Sequence, residues 1–262
     1  MQLSFKEFGR GEPLVLLHGL LGSSDNWLGV APALAKHFHL FIPDLRNHGQ
    51  SPHSAAMDYR LMAGDLRELL DTQGLPFAHL LGHSMGGKVG MELALRSPDR
   101  VRTLIVEDMA PRAYKPVHNV IFSALVSLDL NAFQSRQQIE DALAPTIHSV
   151  VMRRFLLKSL GRDQAGKFYW KINLQGVADN YPHLNEPINS DVPFQKPTLF
   201  IRGGKSNHIF PSDEPMIHKL FPKSVVQTIP EAGHWVHGDA PQEFIECVFN
   251  FLQPVCAGQK MR

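Results

Sequence analysis

The chain has 262 residues, and its 26 lysine and arginine residues nearly balance its 25 aspartate and glutamate residues, leaving a formal net charge of +1. Without a run of basic residues it lacks the concentrated positive face that nucleic acid or an anionic membrane surface requires, so neither is an expected partner. Its 44% hydrophobic and 19% charged residues exclude a disordered chain and are typical of a globular enzyme.

The cysteines and the N-terminal residues indicate the cellular compartment of the protein. Cys247 and Cys256 fit no Cys-x-x-Cys pattern, so we expect no disulfide framework and a reducing environment. The longest apolar run, residues 14–21, is interrupted by His18 and is far too short for stable membrane insertion. Lys6 and Glu7 interrupt the N-terminal stretch, so no signal peptide is expected. These features together predict a cytoplasmic protein.

Apolar runs alternate with helical patterns from residue 1 to residue 108. In Tyr59–Thr72, leucine and methionine recur at spacings of three and four, which predicts a helix. Strands that are apolar without alternation are buried on both faces, as in a parallel sheet covered by helices. This part of the chain therefore predicts a doubly wound, mostly parallel α/β sheet. The apolar runs are residues 14–17, 39–42, 78–81 and 101–106.

The pattern changes after Pro111. From there to about Asp191 we find no clear buried strand, only helix-like segments at residues 119–130 and 149–160. We therefore expect residues 112–191 to form a helical cap inserted into a core of residues 1–111 and 192–262, with a separate small domain as the alternative. The alternation resumes with a strand at 198–201, a helix near 215–221, a strand near 225–229 and a helix at 242–252.

A candidate nucleophile lies in Gly82-His83-Ser84-Met85-Gly86, between a predicted strand and a helical pattern. A nucleophile elbow holds serine in a strained turn, where only small residues two positions before and after it avoid a clash. Ser84 is therefore the predicted nucleophile, and an ordinary glycine-rich turn is the alternative. The segment also approaches the phosphate-loop pattern, but Val89 stands where that motif needs serine or threonine to hold Mg²⁺, so nucleotide hydrolysis is disfavoured.

Two backbone amides are candidates for an oxyanion hole, because acyl transfer to serine needs two donors aimed at the developing oxyanion. Met85 directly follows the serine, and Leu20 lies in the loop His18-Gly19-Leu20-Leu21-Gly22 after the first buried strand. We expect the amides of Met85 and Leu20 to supply the two donors. The alternative is a plain turn in which His18 only packs the loop.

The expected general base is His234, in a loop after the last predicted strand, with His237 as the alternative. A loop at that position can place an imidazole over the carboxyl edge of the sheet. The two histidines also suggest a metal site, but no carboxylate or cysteine set with ligand spacing accompanies them. No metal is therefore expected.

Four segments carry a resemblance to a known family: HGLLGSSDNW at 18–27, PDLRNHGQS at 43–51, GHSMGGK at 82–88 and AGHW at 232–235. They resemble the α/β-hydrolase superfamily and, more closely, the YbfF-type bacterial esterases and their mitochondrial abhydrolase-domain relatives. The resemblance covers essentially the whole chain. It implies an eight-stranded sheet flanked by helices, a helical cap, and hydrolysis of esters or thioesters through an acyl-serine without a cofactor.

The catalytic acid is where the sequence departs from the commonest superfamily pattern. The usual acid follows the strand at 198–201, but Asn207 stands in that loop, and an amide cannot stabilise an imidazolium as a carboxylate does. Asp108 ends the preceding strand at the same sheet edge, where the YbfF-type esterases have a similar acid. We therefore expect Asp108 to orient the base, with Glu107 and Asp213 as alternatives. Ser206 is either a neighbour of the triad or a plain turn serine.

The sequence therefore predicts a serine carboxylesterase that hydrolyses short- to medium-chain acyl esters, with thioesters as a further substrate class. A catalytically silent binding protein and a cofactor-free perhydrolase are the alternatives. A haloalkane dehalogenase is disfavoured, because its elbow carries aspartate where this chain has Ser84. Phe168, Tyr169 and Trp170 of the predicted cap are expected to line an acyl pocket or to pack in a core.

Overall fold

The structure, a computed structural model, describes residues 1–257 and the side chains of residues 1–253. The strands of its main sheet are β1 (Phe5–Phe8), β2 (Glu12–Leu17), β3 (Phe38–Pro43), β4 (Ala78–His83), β5 (Val101–Glu107), β8 (Thr198–Gly203) and β9 (Ser224–Ile229). They lie in the order β1-β3-β2-β4-β5-β8-β9, and every neighbouring pair is parallel except β1 with β3. The carboxyl ends of the six parallel strands therefore meet at one edge of the sheet.

The sheet confirms the predicted mostly parallel α/β class but has seven strands within residues 1–257, where the resemblance implied eight. The strand β1 is the antiparallel member of this sheet. It is followed by a turn through Gly9 and Gly11, both with positive φ, and it pairs with β3. Glycine adopts such backbone angles without the steric penalty of a side chain.

Helices cover both faces of the sheet, as the uninterrupted apolar runs predicted. The core helices are α1 (Ala31–Leu34), α2 (Tyr59–Thr72), α3 (Met85–Arg96), α8 (Glu214–Leu220), α9 (Val236–Asp239) and α10 (Pro241–Ala257). Successive side chains of a strand point to opposite faces. Val15 and Leu17 pack in one cluster with side chains of α2 and α3, whereas Leu14 and Leu16 pack in another with side chains of α1 and α10.

The segment between β5 and β8 contains four helices and a two-stranded hairpin, so it is not purely helical as the sequence indicated. Its elements are α4 (Asn119–Val126), α5 (Arg136–Leu143), α6 (Val150–Leu157), β6 (Leu160–Arg162), β7 (Phe168–Trp170) and α7 (Leu174–Leu184). The hairpin pairs β6 with β7 around a turn that includes Gly166 with φ of 77°. Strands of three residues are too short to give a recognisable period.

Hydrogen bonds from a side chain of α3, and one between backbone groups, hold the two ends of this segment together. The ammonium group of Lys88, fully buried in α3, donates to the carbonyl oxygens of Arg112 and Glu186 at 2.9 and 2.6 Å. The amide of Ile188 donates to the carbonyl of Pro111 at 2.7 Å. The segment therefore leaves and re-enters the core at one place, above the helix that follows Ser84.

No helix within residues 1–257 combines the length and apolar character needed to cross a bilayer. Cys247 is a buried free thiol in α10. The side chain of Cys256 lies outside the described residues.

Candidate active site

Ser84 lies at a sharp turn between β4 and α3. Its backbone has φ of 52° and ψ of −116°, a conformation that L-residues rarely adopt. Two glycines allow the turn to close. A Cβ on Gly82 would lie 2.3 Å from the carbonyl oxygen of Gly86, and a Cβ on Gly86 would lie 2.4 Å from that of Leu17. The strain is thus maintained by packing that only glycine permits, as in a nucleophile elbow.

His234 and Asp108 meet above the carboxyl ends of the strands. The Nδ1–H of His234 donates to Asp108 Oδ2 at 2.8 Å. The carboxylate also accepts the amide of Gly203 at Oδ1, at 2.9 Å, and the hydroxyl of Ser206 at Oδ2. Ser206 is therefore a neighbour of this pair rather than a plain turn serine. The structure brings together the base and acid that the sequence suggested, although they are 126 residues apart.

The two other candidate acids contact residues other than His234. Glu107 is fully buried and accepts both the amide and the Nδ1–H of His237, each at 2.8 Å. Asp213 forms an ion pair with Arg112, with Nε and Oδ1 3.1 Å apart. Neighbouring residues at the end of β5 thus direct their carboxylates to different histidines, which leaves Asp108 as the acid that contacts His234.

Burial shifts the pKa values of both groups. Burial raises the pKa of Asp108, and the hydrogen bonds from Ser206 and Gly203 oppose that rise. Burial also lowers the pKa of His234, so its imidazole is neutral at neutral pH. With the Nδ1 proton directed at Asp108, the Nε2 lone pair is free to accept a proton. This is the protonation state that a general base requires.

The loop after β2 is anchored by two buried histidines. His18 accepts the amide of Leu45 at Nε2, at 2.9 Å, and His48 accepts the amide of Leu21 at 3.2 Å. Leu21 has φ of 62°, so the chain turns sharply just after Leu20. His18 thus packs the loop, as the alternative suggested, and does so beside the elbow. His48 lies in the segment PDLRNHGQS, and no pattern in the sequence indicated this role.

The amides proposed for the oxyanion hole belong to residues that border one small cavity with Ser84. The cavity has a volume of about 70 Å³. Leu20, Ser84 and Met85 all lie on its wall. Aromatic and apolar side chains form most of the remaining wall, together with Asn185 and two histidines, His118 and His208. These apolar and aromatic residues include Tyr59, Met109, Tyr114, Tyr181 and Leu184.

The three aromatic residues suggested for an acyl pocket do not line this cavity. They form β7, where Phe168 is buried under the guanidinium of Arg162 and Tyr169 is exposed. Phe168 therefore serves the packing of the segment, which was the second alternative. The cavity is instead lined by Tyr114 and Tyr181, which no sequence pattern singled out.

One group of side chains has the composition of a metal site. Asp108, His208 and His234 each offer a ligand atom, and these atoms lie within 4.8 Å of one another. However, His234 Nδ1 donates its proton to Asp108 Oδ2 at 2.8 Å, and His208 Nδ1 lies 3.2 Å from the hydroxyl oxygen of Ser206. A ring nitrogen that carries a proton has no lone pair to offer Zn²⁺. The group therefore fits a hydrogen-bonded network better than a metal centre.

Comparisons with known proteins show the family to which the fold belongs. A family described as alpha/beta hydrolase fold matches residues 12–241. The sn-1-specific diacylglycerol lipase ABHD11 of Mus musculus is 37% identical over 247 residues, covering 91% of this chain and 80% of that protein. Esterase YbfF of Escherichia coli strain K12 is 35% identical over 243 residues, covering 92% of each. The structure of a marine microorganism esterase gives a TM-score of 0.93 at 40% identity, covering 96% of this chain and 99% of its own.

Proposed function

The chain belongs to the α/β-hydrolase fold family, and we propose that it is a serine carboxylesterase acting on short- to medium-chain acyl esters. Its relatives named esterases and lipases support an enzyme that hydrolyses esters of small molecules. The observation that carries the proposal is the hydrogen bond of 2.8 Å between His234 Nδ1 and Asp108 Oδ2, beside the strained turn of Ser84.

The reaction proceeds through an acyl-serine. Ser84 Oγ attacks the ester carbonyl carbon while His234 Nε2 takes the hydroxyl proton. The amides of Leu20 and Met85 donate to the oxyanion of the tetrahedral intermediate. The intermediate collapses when His234 returns the proton to the leaving alcohol. A water molecule then attacks the acyl-serine by the same steps and releases the carboxylic acid.

Asp108 acts through His234. Its carboxylate holds the Nδ1–H tautomer and stabilises the imidazolium that forms in each step. Burial of the carboxylate strengthens this interaction, because little solvent is present to screen it. The hydroxyl of Ser206 and the amide of Gly203 keep the carboxylate ionised and oriented.

The size of the cavity supports a preference for short acyl groups. The cavity that Ser84 borders has a volume of about 70 Å³ and a mostly apolar and aromatic wall, so it favours short- to medium-chain acyl groups over long ones. Residues 112–191 act as the cap in this proposal, since their ends are joined above α3 and Tyr114, Tyr181 and Leu184 border the cavity. Action on thioesters and a cytoplasmic location stay predictions.

Active-site labelling tests the proposal directly. A fluorophosphonate should form an adduct on Ser84 of the wild-type protein, and Ser84→Ala should lose both the label and hydrolysis of nitrophenyl butyrate. Ser97→Ala is the matched control, because Ser97 lies at the opposite end of α3, about 18 Å along the helix axis. Circular dichroism should show that both variants are folded.

Two results would contradict the proposal. One is a folded Ser84→Ala variant that keeps a substantial part of the wild-type rate. The other is a wild-type protein that reacts with neither fluorophosphonate nor any ester, which would favour a catalytically silent binding protein. A panel of nitrophenyl esters with two to twelve acyl carbons, a diacylglycerol and an acyl-CoA thioester would define the acyl and leaving groups. Fastest turnover is expected among the short- to medium-chain esters of the panel rather than with twelve carbons.

A further inference from the structure

A second imidazole lies directly against the proposed base. The rings of His208 and His234 are stacked, with their centroids 3.7 Å apart and an interplanar angle of 19°. The His208 side chain is 26% exposed and borders the same cavity as Ser84. His208 is thus the side chain that covers one face of His234 on the side of the substrate cavity.

Hydrogen bonds fix the position of His208. Its Nδ1 lies 3.2 Å from the hydroxyl oxygen of Ser206, and that hydroxyl donates its own proton to Asp108. His208 Nδ1 must therefore be the donor to Ser206. The backbone carbonyl of His208 accepts the hydroxyl of Tyr114 at 2.6 Å, which ties the loop to the wall of the cavity. The position of His208 is therefore fixed by one hydrogen bond of its ring nitrogen and one of its backbone carbonyl.

The charge of His208 decides what the stacking does. Burial, and the nearby His234, lower the pKa of His208 to about 3, so its ring is neutral at neutral pH. A neutral aromatic face attracts a cation placed over it, whereas a second imidazolium would repel one. The contact therefore becomes more favourable when His234 gains a proton. The positive charge of Arg112 also lowers the pKa of His208, whereas the carboxylate of Asp108, with Oδ2 3.6 Å from His208 Nδ1, opposes that shift.

We propose that His208 is a positioning residue for the general base, acting through the face of its ring. It limits rotation of the His234 imidazole away from Asp108, and it stabilises the imidazolium formed during proton transfer. The inference rests on the proposed hydrolase function and adds a residue to the Ser84, His234 and Asp108 set. His208 exchanges no proton with the substrate in this proposal.

Three substitutions distinguish the contribution of the aromatic ring of His208 from that of its hydrogen bond to Ser206. His208→Phe keeps an aromatic face but removes the donor to Ser206, whereas His208→Gln keeps a polar side chain without a ring. His208→Ala removes both. His37→Ala is the matched control, because His37 precedes β3 and lies at the opposite edge of the sheet from the site. Thermal melting of each variant reports whether it is folded.

The expected result is a difference in kcat rather than KM for a nitrophenyl ester. His208→Ala and His208→Gln should each lower kcat about tenfold, with KM changed by less than about threefold. His208→Phe should keep kcat within about threefold of the wild type. His37→Ala should match the wild type. Should the alanine variant not fold, the phenylalanine and glutamine variants, which are close to histidine in volume, carry the comparison.

Several results would overturn the inference. A wild-type kcat in folded His208→Gln, or an equal loss in the phenylalanine and glutamine variants, would show that the ring face is not what matters. A change confined to KM would make His208 only part of the cavity wall. These outcomes differ from failure of the proposed function, in which the wild-type protein itself is inactive or Ser84→Ala stays active.

Discussion

Replacing Asp108 with asparagine should abolish most of the activity while leaving the fold intact. Asp108 has φ of 49°, a backbone conformation that asparagine tolerates better than alanine does. The substitution removes the cost of burying a charge, but it also removes the acceptor that Ser206 and His234 use at Oδ2, so the two effects on the free energy of unfolding should offset in part. Asp108→Asn therefore tests the electrostatic role without a large structural disturbance.

The size of the effect follows from the contacts of the carboxylate. The amide of Gly203 requires an acceptor, so the carbonyl oxygen of the substituted side chain keeps the place of Oδ1 and its NH₂ group replaces Oδ2. That NH₂ group faces Nδ1 of His234 and forces the ring proton to Nε2, which then cannot accept a proton from Ser84. The same tautomer error in a serine protease lowers kcat about 10⁴-fold, or about 5.4 kcal/mol of transition-state stabilisation.

The assay is steady-state hydrolysis of nitrophenyl butyrate near pH 7.5, with the melting temperature of each variant measured in parallel. Asp213→Asn is the matched control, because Asp213 forms its ion pair with Arg112 rather than with the base. It should lower kcat less than tenfold. The reasoning is refuted if Asp108→Asn keeps more than about 1% of the wild-type kcat, or if Asp213→Asn loses as much as Asp108→Asn.

Further predictions concern the turn at Ser84, the general base His234, the loop that contains Asn207, and metal ions. Gly86→Ala should lower the free energy of unfolding by about 1–3 kcal/mol in urea titrations, because the added Cβ would meet the carbonyl of Leu17. Gly64→Ala in α2 is the control: its Cβ would lie in open space among the described residues, so this variant should not be destabilised. As the pH falls, kcat/KM should decline with a midpoint below pH 6.5, because burial lowers the pKa of His234 and activity is lost only when that ring gains a proton. A midpoint above pH 6.5 would contradict this prediction. Asn207→Asp should change kcat less than threefold, because Asn207 is exposed, and a large loss would implicate that loop in catalysis. EDTA should not lower the rate; inhibition that Zn²⁺ reverses would reopen the metal interpretation.

The features that the sequence determined by itself are local. The uninterrupted apolar runs predicted strands buried on both faces, and Val15 and Leu14 indeed pack on opposite sides of β2. Glycines two positions before and after Ser84 predicted the strained turn. The need for glycine at Gly82 is local, because its Cβ would meet the carbonyl of Gly86, whereas a Cβ on Gly86 would meet Leu17 of the neighbouring strand β2. The short hairpin of β6 and β7 could not be predicted from the sequence, since three residues give too little periodicity.

The choice of partners was decided only by the tertiary structure. Glu107 and Asp108 are neighbours in sequence, yet one accepts from His237 and the other from His234, because their side chains leave the end of β5 in different directions. Strand alternation predicts that the two carboxylates point to opposite faces, but no local pattern shows which histidine each one meets or places His208 on the face of His234. Those contacts depend on parallel strands that bring distant loops to one sheet edge, where hydrogen bonds of about 3 Å join residues that are far apart along the chain.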